Sequence, residues 1–519
     1  MNTQYNALEK SLLSDHTGLV TPSNQPLELA DRHPRLYRLV VLLSSLTGYI
    51  FIYLFPLSLI TTSLLLPQMI LNANDHYDVA FALLSVAWIL FSGWISWYVW
   101  QSRPDLPAGR PLKVEEAPML FELIEDLRQK HKCPRVHQIR ITREYHIEIV
   151  RTSRNGYPLN YTNSLLIGLP MLQSLSAKQF KFALQRQLIQ LGSMYRRSFG
   201  WARFLSSIWD QYRTMYQNSW HPASLVMRMF FMVYTPMYRW LVKSAINEQR
   251  YYVDRMLADT DNARAVSEMI VTRALHRKYL HDQFWPELMH CAYQHMTPPY
   301  MPYASLQDHF HNELDKMTLQ QLLDNLLFEQ EQDATLPGLR QRLDRLGIHD
   351  IQLPGRQQHC AIRYLTEQAR ALIIEQFDNV WIKSCFHDWR RKYLQGQEEK
   401  NRLQDYQQQI DSGVLPDRFI HEYIQLVNKY LSIGDALAHY KRILETDFDD
   451  PRIGFDIGRT LLRHNDPQGI EALLKTMHKD TSFTVMACQL IIQYYVRIGD
   501  SRNAQVYRRK ALAYQVEAA

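Results

Sequence analysis

Two uncharged apolar runs constrain this chain more than anything else in it. Leu39 to Leu66 gives 28 residues without a charge, and Val79 to Trp100 gives 22 more. Each exceeds the ~20 residues with which an α-helix crosses a ~30 Å hydrocarbon core. Core helices of a soluble protein are the competing reading, but charge-free runs of this length are rare there. The first run is longer than a perpendicular span requires, which predicts a tilt or a kink at Pro56. Arg32, Arg35 and Arg38 precede the first run and Arg103, Arg110 and Lys113 follow the second, whereas the loop between holds Asp75 and Asp78 and no Lys or Arg. The positive-inside rule then puts both ends on the cytoplasmic side, with Trp97, Tyr98 and Trp100 at the inner interface. Residues 1–38 are polar, carry no signal peptide and read as a cytoplasmic tail.

At 519 residues the chain is long enough for two or three domains. Its charge, 58 Lys and Arg against 52 Asp and Glu, is a mild excess without a dense basic run, which suits a membrane-adjacent protein and not a nucleic-acid binder. Cys133, Cys291, Cys360, Cys385 and Cys488 are scattered, odd in number and free of any C-x-x-C, so they read as free thiols in a reducing compartment.

Beyond the apolar runs, Pro104, Pro107, Pro111 and Pro118 predict a stiff extended linker over 101–118 that ends as Pro118 opens a helix, Met119 to His131. Between Val136 and Gly168 the runs VHQIRIT, IEIVRT and NSLLIGL alternate like strands, separated by turns at Arg143–Tyr145 and Asn155–Gly156. A small three-stranded sheet is expected. Ser176 and Gln179 then have capping-box spacing, which starts a helix whose buried stripe is Phe180, Leu184, Leu188 and Leu191. On another face Arg186 and Gln190 stand four apart with Gln187 beside them, the frame of H-E-x-x-H written as R-Q-L-I-Q. Polar residues at this spacing occur on most amphipathic helices, so the frame alone is weak. Ser198 to Val242 is rich in aromatics and Met, and its uncharged stretch between Arg228 and Arg239 is ten residues, too short to span a bilayer. Met227–Val242 reads either as a helical layer of the core or as a helix lying in the bilayer interface.

The surrounding sequence strengthens the frame. LSAKQFKFALQRQLIQLGSMYRR resembles, apart from its metal-binding letters, the L-S-x-x-x-F-x-A-V-L-A-H-E-L-G-H segment of the HtpX-like and CAAX-prenyl-protease-like membrane zinc metallopeptidases. Three further segments follow in family order. Asn163 to Pro170 is similar to R-N-Y-L-x-L-G-L-P, although the Asn-Ala pair of the preceding strand falls on His146 and Ile147. Arg250 to Asp254 is similar to E-x-x-A-D with Arg250 in place of the Glu, and Thr335 to Leu343 is similar to T-H-P-x-L-x-x-R-L without its histidine. The resemblance implies a zincin-like α+β lobe over 119–350 behind a transmembrane hairpin at 39–100, with an edge strand that aligns an extended peptide. It also implies that Arg186, Gln187, Gln190 and Arg250 stand at the zinc-ligand and base positions, with Asp254 as the carboxylate that orients the first histidine.

These letters cannot perform the family's reaction, which needs two neutral imidazoles, a carboxylate ligand and a carboxylate base. A guanidinium has no lone pair, and a carboxamide takes no proton at neutral pH. No catalytic residue is expected to survive and no cofactor is expected; zinc enters only if the site is active after all. The pairs His276/His281, His309/His311 and His131/His137 offer no H-x-x-x-H, and no G-x-S-x-G or Gly-rich phosphate loop is present. The expected protein is a pseudoprotease of a bacterial inner membrane that binds a protein partner. A peptidase with an unrecognised metal site and a structural subunit of a membrane complex are the alternatives. If the geometry follows the family, Arg186 should lie within about 4 Å of Asp254, with Arg250 nearby and Glu248 as a second counter-charge.

Ala361 to Gln409 reads as two helical connectors within a segment 351–417. After it, Ile433-Gly434-Asp435 and Ile498-Gly499-Asp500 recur with a middle copy at Asn465-Asp466, the aspartates 31 and 34 residues apart. That period fits helix-turn-helix repeats of tetratricopeptide size over 418–519, stacked as a solenoid that either receives a partner or serves as a structural cap.

Overall fold

The computed structural model describes residues 32–71, 75–158, 160–193, 200–260, 262–312, 314–332, 338–351, 353–355, 359–412, 415–445 and 450–517. Most of the expected tail and the Thr335–Pro337 part of the fourth family-like segment lie outside the described residues. The chain is mainly helical, with one small mixed sheet, and divides into two units: residues 1–286 with 300–382, and residues 287–299 with 383–519.

In the first unit, helix α1 (Pro34–Leu71) and helix α2 (His76–Gln101) contain the two apolar runs and pack on each other. Both are long and apolar enough to cross a membrane. They are not core helices, because most of their large side chains face outward, among them Leu43, Ile50, Leu57, Leu64, Leu83 and Leu90. One stripe of α1 is buried, with Tyr37, Val41, Ser45, Gly48, Ile52 and Phe55 recurring every three or four residues. That stripe meets helices α6 (Gly200–Gln217) and α7 (Ser224–Thr260). Tyr37 donates to the Leu241 carbonyl at 2.8 Å, Tyr234 to the Ser44 carbonyl at 2.6 Å, and Phe51 stacks on Phe230 with ring centres 3.7 Å apart. Gly48 is required here, since a Cβ would lie 2.8 Å from Trp209 and 2.9 Å from the Tyr234 hydroxyl.

Helix α7 continues through Pro236 for 37 residues in all. Its first half has two faces: Met227, Phe231, Tyr234 and Tyr238 are buried, whereas Leu225, Met229, Met232, Val233 and Met237 are exposed. The half after Val242 carries Arg250 and Asp254 into the site.

Helix α3 (Pro118–His131) starts at its proline as expected. Strands β2 (Gln138–Thr142), β3 (Ile147–Ser153) and β4 (Tyr161–Gly168) match the three alternating runs. The sheet has a fourth, two-residue strand, β1 (Arg110–Pro111), giving the order β1-β2-β4-β3. The linker is therefore pinned at one point, Arg110 opposite Ile141, where proline is tolerated because the strand is an edge. Strands β2 and β4 are parallel, and β3 and β4 form the antiparallel hairpin expected around Asn155–Gly156. A short helix α4 (Leu169–Ser174) leads to α5 (Ala177–Ser193). The capping box is formed in both directions: the Gln179 amide donates to Ser176 Oγ and the Ser176 amide to Gln179 Oε1, each at 3.2 Å. Helix α5 is buried nearly all round, including its expected stripe and also Arg186 and Gln187. Helix α8 (Ala263–Tyr279), capped by Asn262, lies against α5 and α7. Helices α9 (Pro302–Asn312), α10 (Lys316–Gln332) and α11 (Leu339–Asp344) complete the unit, and α10 and α11 pack on α8.

The two expected connectors are one 45-residue helix, α12 (Glu367–Asp411). Gly396 does not break it, because the position serves close packing: a Cβ there would lie 2.1 Å from the Tyr293 carbonyl oxygen. In the second unit six helices follow: α13 (Asp417–Tyr430), α14 (Ile433–Glu445), α15 (Pro451–Arg463), α16 (Gln468–Lys479), α17 (Thr484–Arg497) and α18 (Ser501–Glu517). Each repeated aspartate sits where an antiparallel pair turns. The Gln468 amide donates to Asp466 and the Asn503 amide to Asp500, while Asp435 lies in the first turn of α14 against Ser432.

Candidate functional site

The site lies in the first unit, where α5, α7 and α11 converge on a single carboxylate. Asp254, on α7, is 1% exposed. Arg186 Nε, on α5, donates to its Oδ1 at 2.7 Å, and Arg342, on α11, donates through Nε and Nη2 to Oδ2 at 2.9 Å each. Both oxygens are thus held by guanidiniums, and Arg186 is itself buried. Burial works to raise the Asp254 pKa, but the charges and hydrogen bonds of Arg186 and Arg342 outweigh it and hold the carboxyl below its ordinary range. The expected Arg186–Asp254 contact is therefore present, within the expected 4 Å.

Three more arginines surround this pair. Arg250, one turn before Asp254, is half-buried; burial first, then the charges of Arg203, Arg186 and Arg342, bring its pKa down to about 10. Arg203 on α6 is pushed down by burial and by Arg186. Arg273 on α8 is pushed down to about 9 by burial and then Arg186, and its Nε is buried without a partner. Arg203, Arg250 and Arg273 make no ion pair among the described residues. Glu248, the second counter-charge expected, is exposed and does not join Asp254. The reason is the helical period: six residues apart, the two carboxyls cannot share a face.

Gln187 and Gln190 open on a small neighbouring cleft of about 50 Å³. Glu148, Ile149 and Arg151 of the edge strand β3 form one wall, Gln187 and Gln190 of α5 another, and Arg203 and Gln249 complete the lining. The Arg151 guanidinium lies 4.5 Å from the Phe204 ring centre and 5.0 Å from that of Tyr161, so its orientation is fixed by aromatic faces. A larger cavity, about 460 Å³, lies elsewhere in the unit and is lined by Ser174, Thr272, His276, His311 and Cys360. Burial brings the His276 pKa down to about 3, so the imidazole is neutral there.

The residues at the five family positions do not fit a zinc ion. Arg186 and Arg250 offer only donors, and the one carboxylate nearby is engaged by two guanidiniums. Among the described residues no three His, Cys, Asp or Glu side chains come together as a ligand set. Arg342, Arg203 and Arg273 complete the centre and were not named as site residues from sequence. Arg342 stands at the arginine of the T-H-P-x-L-x-x-R-L-like segment, and Arg273 left a signal as a charge on the helical row of Val266, Met269 and Ile270. No family model matches the chain, and no curated protein or solved structure is significantly similar to it.

Proposed function

We propose that the chain is a membrane-anchored pseudoprotease, a non-catalytic relative of the HtpX-like and CAAX-prenyl-protease-like zinc metallopeptidases that binds a protein partner. One observation carries the reading: Arg186 and Asp254, at the positions the resemblance gives to the first zinc ligand and its orienting carboxylate, are joined directly at 2.7 Å. The pairing is what the family arrangement yields when a donor-only side chain replaces the histidine. The cleft adds support, because an edge strand lies along it opposite the Gln187–Gln190 face of α5, the arrangement that takes an extended peptide by strand addition. About 50 Å³ of it is free of side chains, which favours a binding role over a purely structural one.

The membrane assignment rests on the outward apolar faces of α1 and α2 together with the adjoining exposed face of α7. In this reading the arginine placement supports cytoplasmic termini, and the resemblance suggests a bacterial inner membrane. The six C-terminal helices, turning at equivalent aspartates, act in this reading as tetratricopeptide-like repeats and a second surface for the partner.

Two measurements on the purified full chain test the proposal. Elemental analysis should find well under one zinc per chain, with no chelator-sensitive cleavage of unfolded protein substrates; one tight zinc per chain would restore the peptidase reading. A photo-crosslinking amino acid at Gln190 should capture a discrete protein in cells, and its failure there and at the repeats would remove the partner-binding role.

A further inference from the structure

The positive charge around Asp254 exceeds what the fold needs. Arg186 and Arg342 pair with Asp254 directly, and Arg203, Arg250 and Arg273 each feel the charge of Arg186, so five guanidiniums surround one carboxylate with an excess of four charges. Glu148, which attracts Arg203 from β3, reduces the excess to three. Such a cluster is self-repelling, and burial removes the water that would screen it. A counter-ion bound beside it offsets both effects.

The adjoining cleft has the donors to hold one. Arg203 and Arg151 line it, as do the carboxamides of Gln187 and Gln190, which make no hydrogen bond among the described residues. Guanidinium forks match the oxygens of tetrahedral oxyanions in pairs, and amide N–H groups take the oxygens left over. A monovalent anion would leave most of the excess uncompensated, whereas a dianion brings it close to balance.

We infer that the cleft between β3, α5 and the start of α6 binds one phosphate group, as the free ion or as a monoester, between Arg203 and the Gln187–Gln190 face. Asp254 holds Arg186 and Arg342 back from the ligand, which leaves Arg203 to make the direct contact with the field of Arg250 behind it. The inference needs neither the family relationship nor the absence of zinc, so failure of the metal test leaves it standing.

The test is equilibrium binding of radiolabelled inorganic phosphate to the full chain in detergent, at fixed ionic strength set with chloride. One phosphate per chain is expected, displaced by sulfate and not by added chloride. Arg203→Gln should weaken binding at least tenfold and Arg203→Lys less, because the ammonium keeps the charge but not the fork; Arg128→Gln, on the surface pair with Glu125, should change nothing. Since Arg203→Gln removes a repelling charge, it should melt no lower than the parent, which separates lost binding from lost folding. A parallel titration with phenyl phosphate distinguishes the sources: equal or tighter binding marks a monoester, and binding of inorganic phosphate alone marks the free ion. No saturable binding of either, or binding unaltered in both Arg203→Gln and Arg250→Gln, overturns the inference.

Discussion

Asp254→Asn isolates the charge balance of the buried centre. The substitution keeps the shape but removes the one negative charge that Arg186 and Arg342 share, leaving five guanidiniums facing one another. Breaking a buried ion pair by removing one partner costs about 3–5 kcal/mol, because the surviving charge stays desolvated. Asp254 is 1% exposed and the Arg186 side chain 9%, so solvent screening gives little relief on that side; Arg342, at 23%, reaches water in part and contributes less. At an unfolding entropy of about 2.1 cal/mol/K per residue, the first unit, residues 1–286 with 300–382, shifts by about 1.3 °C per kcal/mol, so the melting temperature should fall by roughly 4–6 °C. Arg250→Gln should have the opposite sign or none, since Arg250 has no ion-pair partner, and added to Asp254→Asn it should recover part of the loss. Thermal and denaturant unfolding of the full chain in nanodiscs, in phosphate-free buffer, measures all three. A cost below about 1 kcal/mol for Asp254→Asn, or an Arg250→Gln variant as damaged as Asp254→Asn, would refute a centre held by a single overworked carboxylate.

Three further outcomes follow from other parts of the first unit. Gly48→Val should lower stability by about 1–3 kcal/mol, because its Cβ meets Trp209 and Tyr234 with no room to retreat; wild-type melting would show the contact to be soft. His276, neutral in the fold with a pKa of about 3 against 6.5 when exposed, takes a proton in the unfolded chain first, so stability should fall as pH drops from about 6.5 toward 3. His276→Phe should remove close to one proton, about 1.4 kcal/mol per pH unit, from that slope; the Asp254 contribution is lost only below about pH 4, as its folded pKa is depressed. A spin label at Met232→Cys in nanodiscs, in a background without Cys291, Cys360 and Cys385, should collide with oxygen and not with aqueous nickel, the reverse of a label at Trp220→Cys. Equal nickel access at both would take α7 out of the bilayer.

Local rules made part of this legible in advance. The capping box at Ser176 and Gln179, the stripe from Phe180 to Leu191, the three alternating strands and the turns at the repeated aspartates are decided within a few residues, and all are present. The Arg186–Asp254 contact spans 68 residues and was expected only through a resemblance to a family. What stayed hidden depends on tertiary partners. Arg342 reaches Asp254 only because α11 packs on α8, and β1 forms only where β2 offers an edge. The continuity of α12 past Gly396 and of α7 past Pro236 likewise depends on neighbours, Tyr293 in one case and the α1 and α6 faces in the other.

The arginines themselves present the harder question. If this buried centre were under pressure for stability alone, apolar residues of similar volume would serve as well or better, because a buried ion pair rarely repays its desolvation. One Arg–Asp pair can be understood as setting the register of α5 against α7, the best-attested use of buried charge. A second arginine, Arg342, ties α11 to the same point and uses the remaining carboxylate oxygen. Register is then fully specified, yet Arg203, Arg250 and Arg273 still add charge to the centre at a cost in repulsion that Glu148 and Asp254 offset only in part. Charge retained beyond what the fold uses calls for an offset from outside the chain, and the cleft that Arg203 lines gives an anion a place beside the centre.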